Sequence, residues 1–339
     1  MLIRAKAPLR IGFAGGGTDV APYCDIFGGS VTNACINVYA YATIEPRTDG
    51  IIEFRCEDQH KYFDCKMEKE LLLDGNFSLQ KGVYNRIVKD YINEPLSFTL
   101  TTYINAPVGS GLGSSSSLCV AILKAFLEWK NIPLSKYEIA NLAWEIERKD
   151  LQMVGGKQDQ FAATFGGFNF MEFNKDLVTV SPIDIKNEYI NELEFNTILY
   201  YTGVSRVSSK IIQTQVDSVN NKNVSAIDAM HKLKQNSIDM KDALLKGQLD
   251  RMGELLNVGW KNKKEMSSSI SNSLIDEIYN AAINAGATGG KISGAGGGGF
   301  FIFYCPENTR YKVIDALSKF GGEFRRFKFS YTGVESWKV

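Results

Sequence analysis

The amino-acid sequence predicts an α+β fold in two domains, and three features carry that expectation. Within residues 1–182, strand patterns recur, with apolar residues at alternate positions over 96–105 and in the run 28–45. Apolar positions at helical spacing dominate residues 207–284. Between these halves, residues 184–194 are rich in charge and asparagine, so the boundary is expected near residue 190, with an N-terminal domain over 1–190 and a C-terminal domain over 191–339. A chain of 339 residues with 44% hydrophobic and 22% charged residues can bury a sizeable core in one or two globular domains.

Taken in order, the chain opens on a short strand that carries Pro8 and Arg10 and runs into Gly15, Gly16 and Gly17, followed by Thr18 and Asp19. A glycine turn capped by Thr-Asp accounts for this segment; the functional alternative is that bare backbone brings a polar ligand up to Arg10 and Asp19. Val31, Ile36, Val38, Ala40, Ala42 and Ile44 continue the strand pattern, residues 51–56 add another strand, and Leu79, Val83, Ile87 and Val88 mark a helix within 76–92. A strand over residues 96–105, with Phe98, Leu100, Thr102 and Ile104 at alternate positions, leads into the stretch 107–118.

That stretch, Pro-Val-Gly-Ser-Gly-Leu-Gly-Ser-Ser-Ser-Ser-Leu, joins the strand to a helix marked by Leu118, Ile122, Ala125, Phe126 and Trp129. Gly109, Gly111 and Gly113 let the backbone approach a ligand, and the helix behind them presents free N–H groups and about half a positive charge. An anion fits such a place. The pattern is not the G-x-x-x-x-G-K-[ST] loop, because only serines follow Gly113. A flexible linker is the competing account, but three alternating glycines before four serines are too ordered for one.

Ser135 and Glu138 form a capping box for a helix whose apolar face holds Ile139, Leu142, Ala143 and Ile146. Glu147 borders that face, and on spacing alone a solvent-facing carboxylate is the simpler account. Gly155 and Gly156 precede a polar helix start with Asp159 in its first turn, where an acid also compensates the helix dipole. Strand character returns at 166–182. In the second half a strand at 197–201 meets a polar turn carrying Gly203 and Arg206, and helices follow, marked by Met252, Leu255, Leu256 and Trp260. The run Lys261, Lys263, Lys264 reads as a solvated helix face. Gly294, Gly296 and Gly299 satisfy G-x-G-x-x-G, but the segment leads into a strand rather than a helix, so a dinucleotide site fails on context. A helix over 309–320 and strands within 323–338 complete the α+β second half.

Lysine plus arginine equals aspartate plus glutamate at 38 each, which gives no bulk attraction to nucleic acid or to a membrane surface. The six cysteines lack C-x-x-C spacing and read as reduced thiols, and no apolar run suits a signal peptide or a membrane span, so a cytoplasmic protein is expected. With only His60 and His231 present, histidine-based chemistry and zinc sites are disfavoured.

Three glycine-bearing segments in a fixed order, 8–19, 107–118 and 291–303, resemble motifs one, two and three of the GHMP small-molecule kinases, the family of galactokinase, homoserine kinase, mevalonate kinase and phosphomevalonate kinase. The core Gly111, Leu112, Gly113, Ser114, Ser115 is the most specific part. The resemblance spans essentially the whole chain. It implies an N-terminal domain like domain 2 of ribosomal protein S5 and a ferredoxin-like C-terminal domain. The versions at 10–19, 156–161 and 201–206 look most like the heptose 7-phosphate kinase branch, which implies ATP-dependent phosphorylation of an anomeric hydroxyl to a 1,7-bisphosphate, a step towards nucleotide-activated heptose.

The same resemblance implies roles. ATP phosphates would lie against Pro107, Gly109, Ser110, Gly111, Leu112, Gly113, Ser114, Ser115 and Ser116, with Gly294, Ala295, Gly296 and Gly297 closing from the second domain. Mg²⁺ would take the hydroxyl of Ser115 or Ser116 and the carboxylate of Glu147, since it prefers few protein oxygens plus phosphates and water. Asp159 would face the acceptor hydroxyl with Arg10 beside it, as base or as orienting group. Gly16, Gly17, Thr18, Asp19 and Gly156 would border the sugar, and Arg206, with Lys210 in reserve, would hold its phosphate. The expected partners are a sugar phosphate and ATP. A kinase for another sugar such as fucose, a ligand-binding protein of the same fold without activity, and an RNA binder are the alternatives; zero net charge disfavours the last.

Overall fold

Burying Ile3, Ala5, Ala7, Leu9, Ile11 and Phe13, all on one parity of the first strand, fixes the register of the sheet that the strand belongs to. In the computed structural model, which describes residues 1–204 and 208–339, the first half runs β1 (Ile3–Ala14), α1 (Tyr23–Phe27), β2 (Gly29–Pro46), β3 (Ile51–Cys56), β4 (Lys61–Lys66), α2 (Ser78–Ile87), β5 (Phe98–Ile104) and α3 (Ser114–Lys130). It continues with α4 (Lys136–Glu145), α5 (Gln158–Phe165), β6 (Phe168–Phe173) and β7 (Val178–Pro182).

The strand pattern expected from Gly28 to Glu45 is one strand, β2, long enough to serve two partners. Its C-terminal part pairs β5 and its N-terminal part pairs β6. The register of β1 on β2 shifts after Pro8, a position where a residue without an N–H is tolerated. α3 is apolar along almost its whole length because it is packed into this sheet on one side and other helices on the other. α2 and α4 each end in a π-helical turn, Val88–Ile92 and Ile146–Asp150, and the second of these carries Glu147.

The second half comprises α6 (Asn187–Asn196), β8 (Thr197–Tyr201), α7 (Ser208–Asn220), α8 (Val224–Leu245), α9 (Leu249–Met266), α10 (Ser273–Asn284), β9 (Gly289–Ile292), β10 (Phe300–Tyr304), α11 (Thr309–Ser318), β11 (Glu323–Arg325) and β12 (Glu335–Lys338). β8 to β11 form an antiparallel sheet in the order β11-β8-β10-β9, the ferredoxin-like arrangement, with four helices in the first crossover. β10 is an unbroken apolar run because both its faces are covered: Phe300, Ile302 and Tyr304 join the core shared with the first sheet, while Phe301 and Phe303 join a second core with α10 and α11.

Three features tie the halves together. The charged stretch 184–194 holds α6 rather than a bare linker, and β12 returns to the first sheet to pair with β1. α8 lies against β2, where Ser237 meets Ser30 through their hydroxyls at 2.6 Å and accepts from Thr32 through its carbonyl at 2.7 Å. All six cysteines are free thiols, and no helix among the described residues is long and apolar enough to cross a membrane.

Candidate active site

Leu9 and Ile11 anchor one face of β1 in the core, so alternation turns Arg10 to the opposite face, where its guanidinium is left almost without solvent. Its charge is spent on three groups. Nε and Nη2 donate to Asp159 Oδ1 at 2.7 and 2.6 Å, while Nη1 donates to the Gly111 carbonyl at 2.7 Å and to Ser293 Oγ at 3.1 Å. The Arg10 backbone N–H adds a bond to the Leu112 carbonyl at 3.0 Å. One side chain on β1 therefore joins all three glycine segments to the aspartate at the start of α5. A delocalised, fork-shaped cation suits this better than a lysine would.

The loop before α3 turns three times through left-handed glycines, with φ of +73° at Gly109 and +77° at Gly111 and Gly113. A Cβ on Gly111 would lie 2.4 Å from the Ser293 carbonyl oxygen, and one on Gly113 would crowd Asp159. The second and third segments thus touch backbone to backbone across the two halves of the chain. Phe300 N–H also donates to the Ser110 carbonyl at 3.0 Å. The loop opens on a cleft of about 770 Å³. Gly109, Gly111, Gly113, Ser114, Ser115, Ser116, Gly294 and Ala295 line it, whereas Pro107, Ser110, Leu112, Gly296 and Gly297 stand behind that surface. Gly296 and Gly297 pack on Ile270, whose carbonyl accepts from Gly297 N–H at 2.8 Å.

Glu147 is wholly buried, against the solvent-facing placement that spacing alone favoured. The π-helical turn after α4 swings it beneath the start of α3. Its carboxylate accepts from Ser115 Oγ at 3.3 Å and from Gln160 Nε2 at 2.5 Å, and Gln160 Nε2 also donates to Ser116 Oγ at 3.1 Å. A buried carboxylate with an amide and a hydroxyl as neighbours fits a hard cation. No group of three or more His, Cys, Asp or Glu side chains able to hold a metal occurs among the described residues. The pair Ser115 and Glu147, exposed hydroxyl over buried carboxylate, instead suits Mg²⁺ completed by phosphates and water. Ser116 also lines the cleft but is buried and engaged by Gln160, so Ser115 is the more exposed of the two hydroxyls.

On the other side of Asp159 the cleft is bordered by Asp19, Gly17, Gly156 and Gln158. Asp19 accepts from the backbone N–H of Gly17 at 3.2 Å and of Gln158 at 3.1 Å. Burial pushes its carboxyl above the usual range and the Asp159 charge adds to this, while those amides oppose it. A Cβ on Gly156 would overlap Asp19 Oδ2 at 1.9 Å, so glycine is required there by close approach. Thr18 is fully buried, its hydroxyl donating to the carbonyls of Gly15 and Ser30 at 2.8 and 2.9 Å, so it holds the turn rather than facing the cleft. Arg206 lies outside the described residues. Lys210 is exposed on α7 and is not among the residues lining the cleft, to which α7 contributes Ser209, Ile212 and Gln215.

The lysine run on α9 corrects the sequence reading. Lys263 is 2% exposed and lines the cleft, its ammonium donating to the Gly294 carbonyl. It follows Leu256 and Trp260 at helical spacing, the same buried stripe, and that spacing was the available signal. Burial and the charge of Arg10 pull its pKa down to about 8, against the attraction of Asp19. Lys291, also buried, donates to the carbonyls of Gly12 and Ile292 at 2.8 and 3.1 Å. Arg148 is another lining residue the sequence reading did not single out; it binds the Gly156 carbonyl at 3.3 Å and stands 3.9 Å from Glu147.

A glycine cradle at a helix start, a hydroxyl over a buried carboxylate, and an Arg-Asp pair on the same cleft define a small-molecule kinase. The chain belongs to the GHMP kinase family: the GHMP kinase N-terminal domain matches residues 78–167 and the C-terminal domain residues 240–323. The particular relatives agree. It is 46% identical over 338 residues, 99% of each chain, to D-glycero-alpha-D-manno-heptose 7-phosphate kinase of Campylobacter jejuni. Among solved structures, a D-glycero-D-manno-heptose 1-phosphate kinase from Bacteroides thetaiotaomicron superposes with a TM-score of 0.85 at 46% identity, covering 99% of both chains. A Lactococcus lactis galactokinase complexed with galactose shares the fold, with a TM-score of 0.78 at 18% identity over 100% of this chain and 95% of its own.

Proposed function

We propose that the protein transfers the γ-phosphoryl group of ATP to the anomeric hydroxyl of D-glycero-D-manno-heptose 7-phosphate, giving the 1,7-bisphosphate. The observation that carries the chemistry is the Arg10–Asp159 pair, which lines the same cleft as the glycine loop and Asp19. The choice of sugar is supported by the 46% identity to a heptose 7-phosphate kinase along the whole chain.

In this reading the amides around Gly109 to Ser116 receive the triphosphate, and Ser115 and Glu147 hold Mg²⁺, which supplies neutralising charge to the phosphates. Asp19, braced by its two backbone amides, accepts from sugar hydroxyls. Asp159 orients the anomeric hydroxyl and takes its proton; an anomeric hydroxyl is more acidic than an ordinary alcohol, which suits a carboxylate base. Arg10 keeps the carboxylate in place and adds positive charge beside the forming bond. The sugar phosphate is assigned to Arg206. If replacing Arg206 by alanine leaves the KM for the phosphorylated sugar unchanged, that assignment fails.

The names of the two heptose relatives place the substrate phosphate at opposite ends of the sugar. An ADP-release assay over heptose 7-phosphate, heptose 1-phosphate, mannose phosphates and free sugars, with NMR of the product, decides between them. Turnover confined to free sugars, or to fucose, sinks the present reading.

A further inference from the structure

Lys263 reaches the cleft from α9, in the half of the chain that carries the third glycine segment. Its ammonium is bonded to the Gly294 carbonyl, on the nucleotide side, and stands 3.8 Å from where a Cβ on Gly16 would lie, on the sugar side. Nearby, Gln215 of α7 and Met266 of α9 close over Gly17. The position therefore lies on the path between cradle and sugar. Lys291 offers no such charge, because its ammonium is committed to two carbonyls and does not line the cleft.

A buried ammonium with a neutral carbonyl partner is costly unless an anion joins it. The cleft around Lys263 already holds Arg10, and that cation is occupied by Asp159. Phosphoryl transfer needs charge neutralised on the moving group, and fixed cations there act without reorganisation.

We propose that Lys263 is a catalytic residue, its ammonium bound to the phosphoryl oxygens as that group passes from nucleotide to sugar; the inference rests on the kinase reading above. The anomeric oxygen bonds to phosphorus and its proton goes to Asp159. The bond from phosphorus to the bridging oxygen breaks, and its electron pair leaves with ADP. Lys263 neutralises charge throughout and exchanges no proton.

The test compares wild type, Lys263→Met and Lys263→Arg. With heptose 7-phosphate and MgATP, Lys263→Met is expected to lose about 10²- to 10³-fold in kcat, the size seen when one preorganised donor is removed. Its KM for the sugar and its affinity for AMP-PNP stay near wild type, and Lys263→Arg recovers part of the rate. Unchanged kcat overturns the proposal, as does a raised KM for the sugar phosphate with kcat retained, which would make Lys263 a grip on the substrate's own phosphate. A second readout does not depend on turnover: affinity for MgADP with aluminium fluoride, a mimic of the phosphoryl group in transit, falls in Lys263→Met while MgADP affinity does not. Equal affinity for the mimic in both proteins rejects the role. Absence of wild-type turnover on heptose 7-phosphate rejects the substrate reading alone, and the mimic still judges Lys263. Thermal denaturation confirms that the variants fold.

Discussion

At the scale of single residues, Arg10 and Asp159 form the ion pair on which the proposed mechanism depends. Asp159→Asn preserves the size of the side chain and removes its charge, so nucleotide binding is expected to persist while kcat drops by about 10²- to 10⁴-fold. Isothermal titration with AMP-PNP beside an ADP-release assay checks this, and near-normal turnover would reject the assignment. Lys263 gives a pH signature. Burial and then the Arg10 charge push its proton off, Asp19 holds it on, and with its pKa at about 8 the free enzyme should lose kcat/KM as pH rises past that value. Lys263→Arg should move this limb to higher pH. Stability should respond oppositely: between about 8 and the ordinary 10.5 the unfolded chain keeps a proton that the folded chain has released, so this group makes stability rise with pH. Urea midpoints across that window, wild type against Lys263→Met, measure the difference.

At the scale of elements, the start of α3 is useful because what surrounds it is tight. Gly111→Ala would set a Cβ 2.4 Å from the Ser293 carbonyl oxygen at a φ of +77°. The loop must then shift away from the third segment, at a cost of about 1–3 kcal/mol, with a loss of nucleotide affinity of about tenfold or more expected on titration. The π-helical turn after α4 has a different part, since it places Glu147 under Ser115. Glu147→Gln should raise the Mg²⁺ concentration needed for half-maximal activity more than it lowers ATP affinity measured without metal. Equal effects on both would mean that Glu147 is structural.

At the scale of the whole molecule, the two halves are joined by more than the cleft. β12 pairs with β1 over Ile3 to Lys6, and Leu2 and Val339 exchange backbone hydrogen bonds at 2.9 and 2.8 Å. Ending the chain at residue 333 would leave the edge of β1 bare. At roughly 1 kcal/mol per net hydrogen bond and about 2–4 °C per kcal/mol, Tm should fall by about 5 °C or more. A truncated chain that melts like the full one would show that β12 only decorates the sheet.

The sequence by itself determined the secondary structure near the site and the type of chemistry. Alternation marked β5, the Ser135–Glu138 capping box formed as read, and the Gly109 to Ser115 stretch became a glycine loop opening a helix, because these signals are local in the chain. What depended on distant parts was not legible. Glu147 looked like a surface acid until the π-helical turn buried it, Thr18 looked like a ligand contact until its hydroxyl was seen to be occupied, and Lys263 looked solvated until α9 packed over the first glycine segment. Burial is a property of the partner surface, and a carboxylate or ammonium carries no mark of it in its own neighbourhood. Local pattern supplied the glycine loop; the tertiary structure decided which charges stand around it, because only packing brings residues 10, 147, 159, 263 and 294 to one cleft.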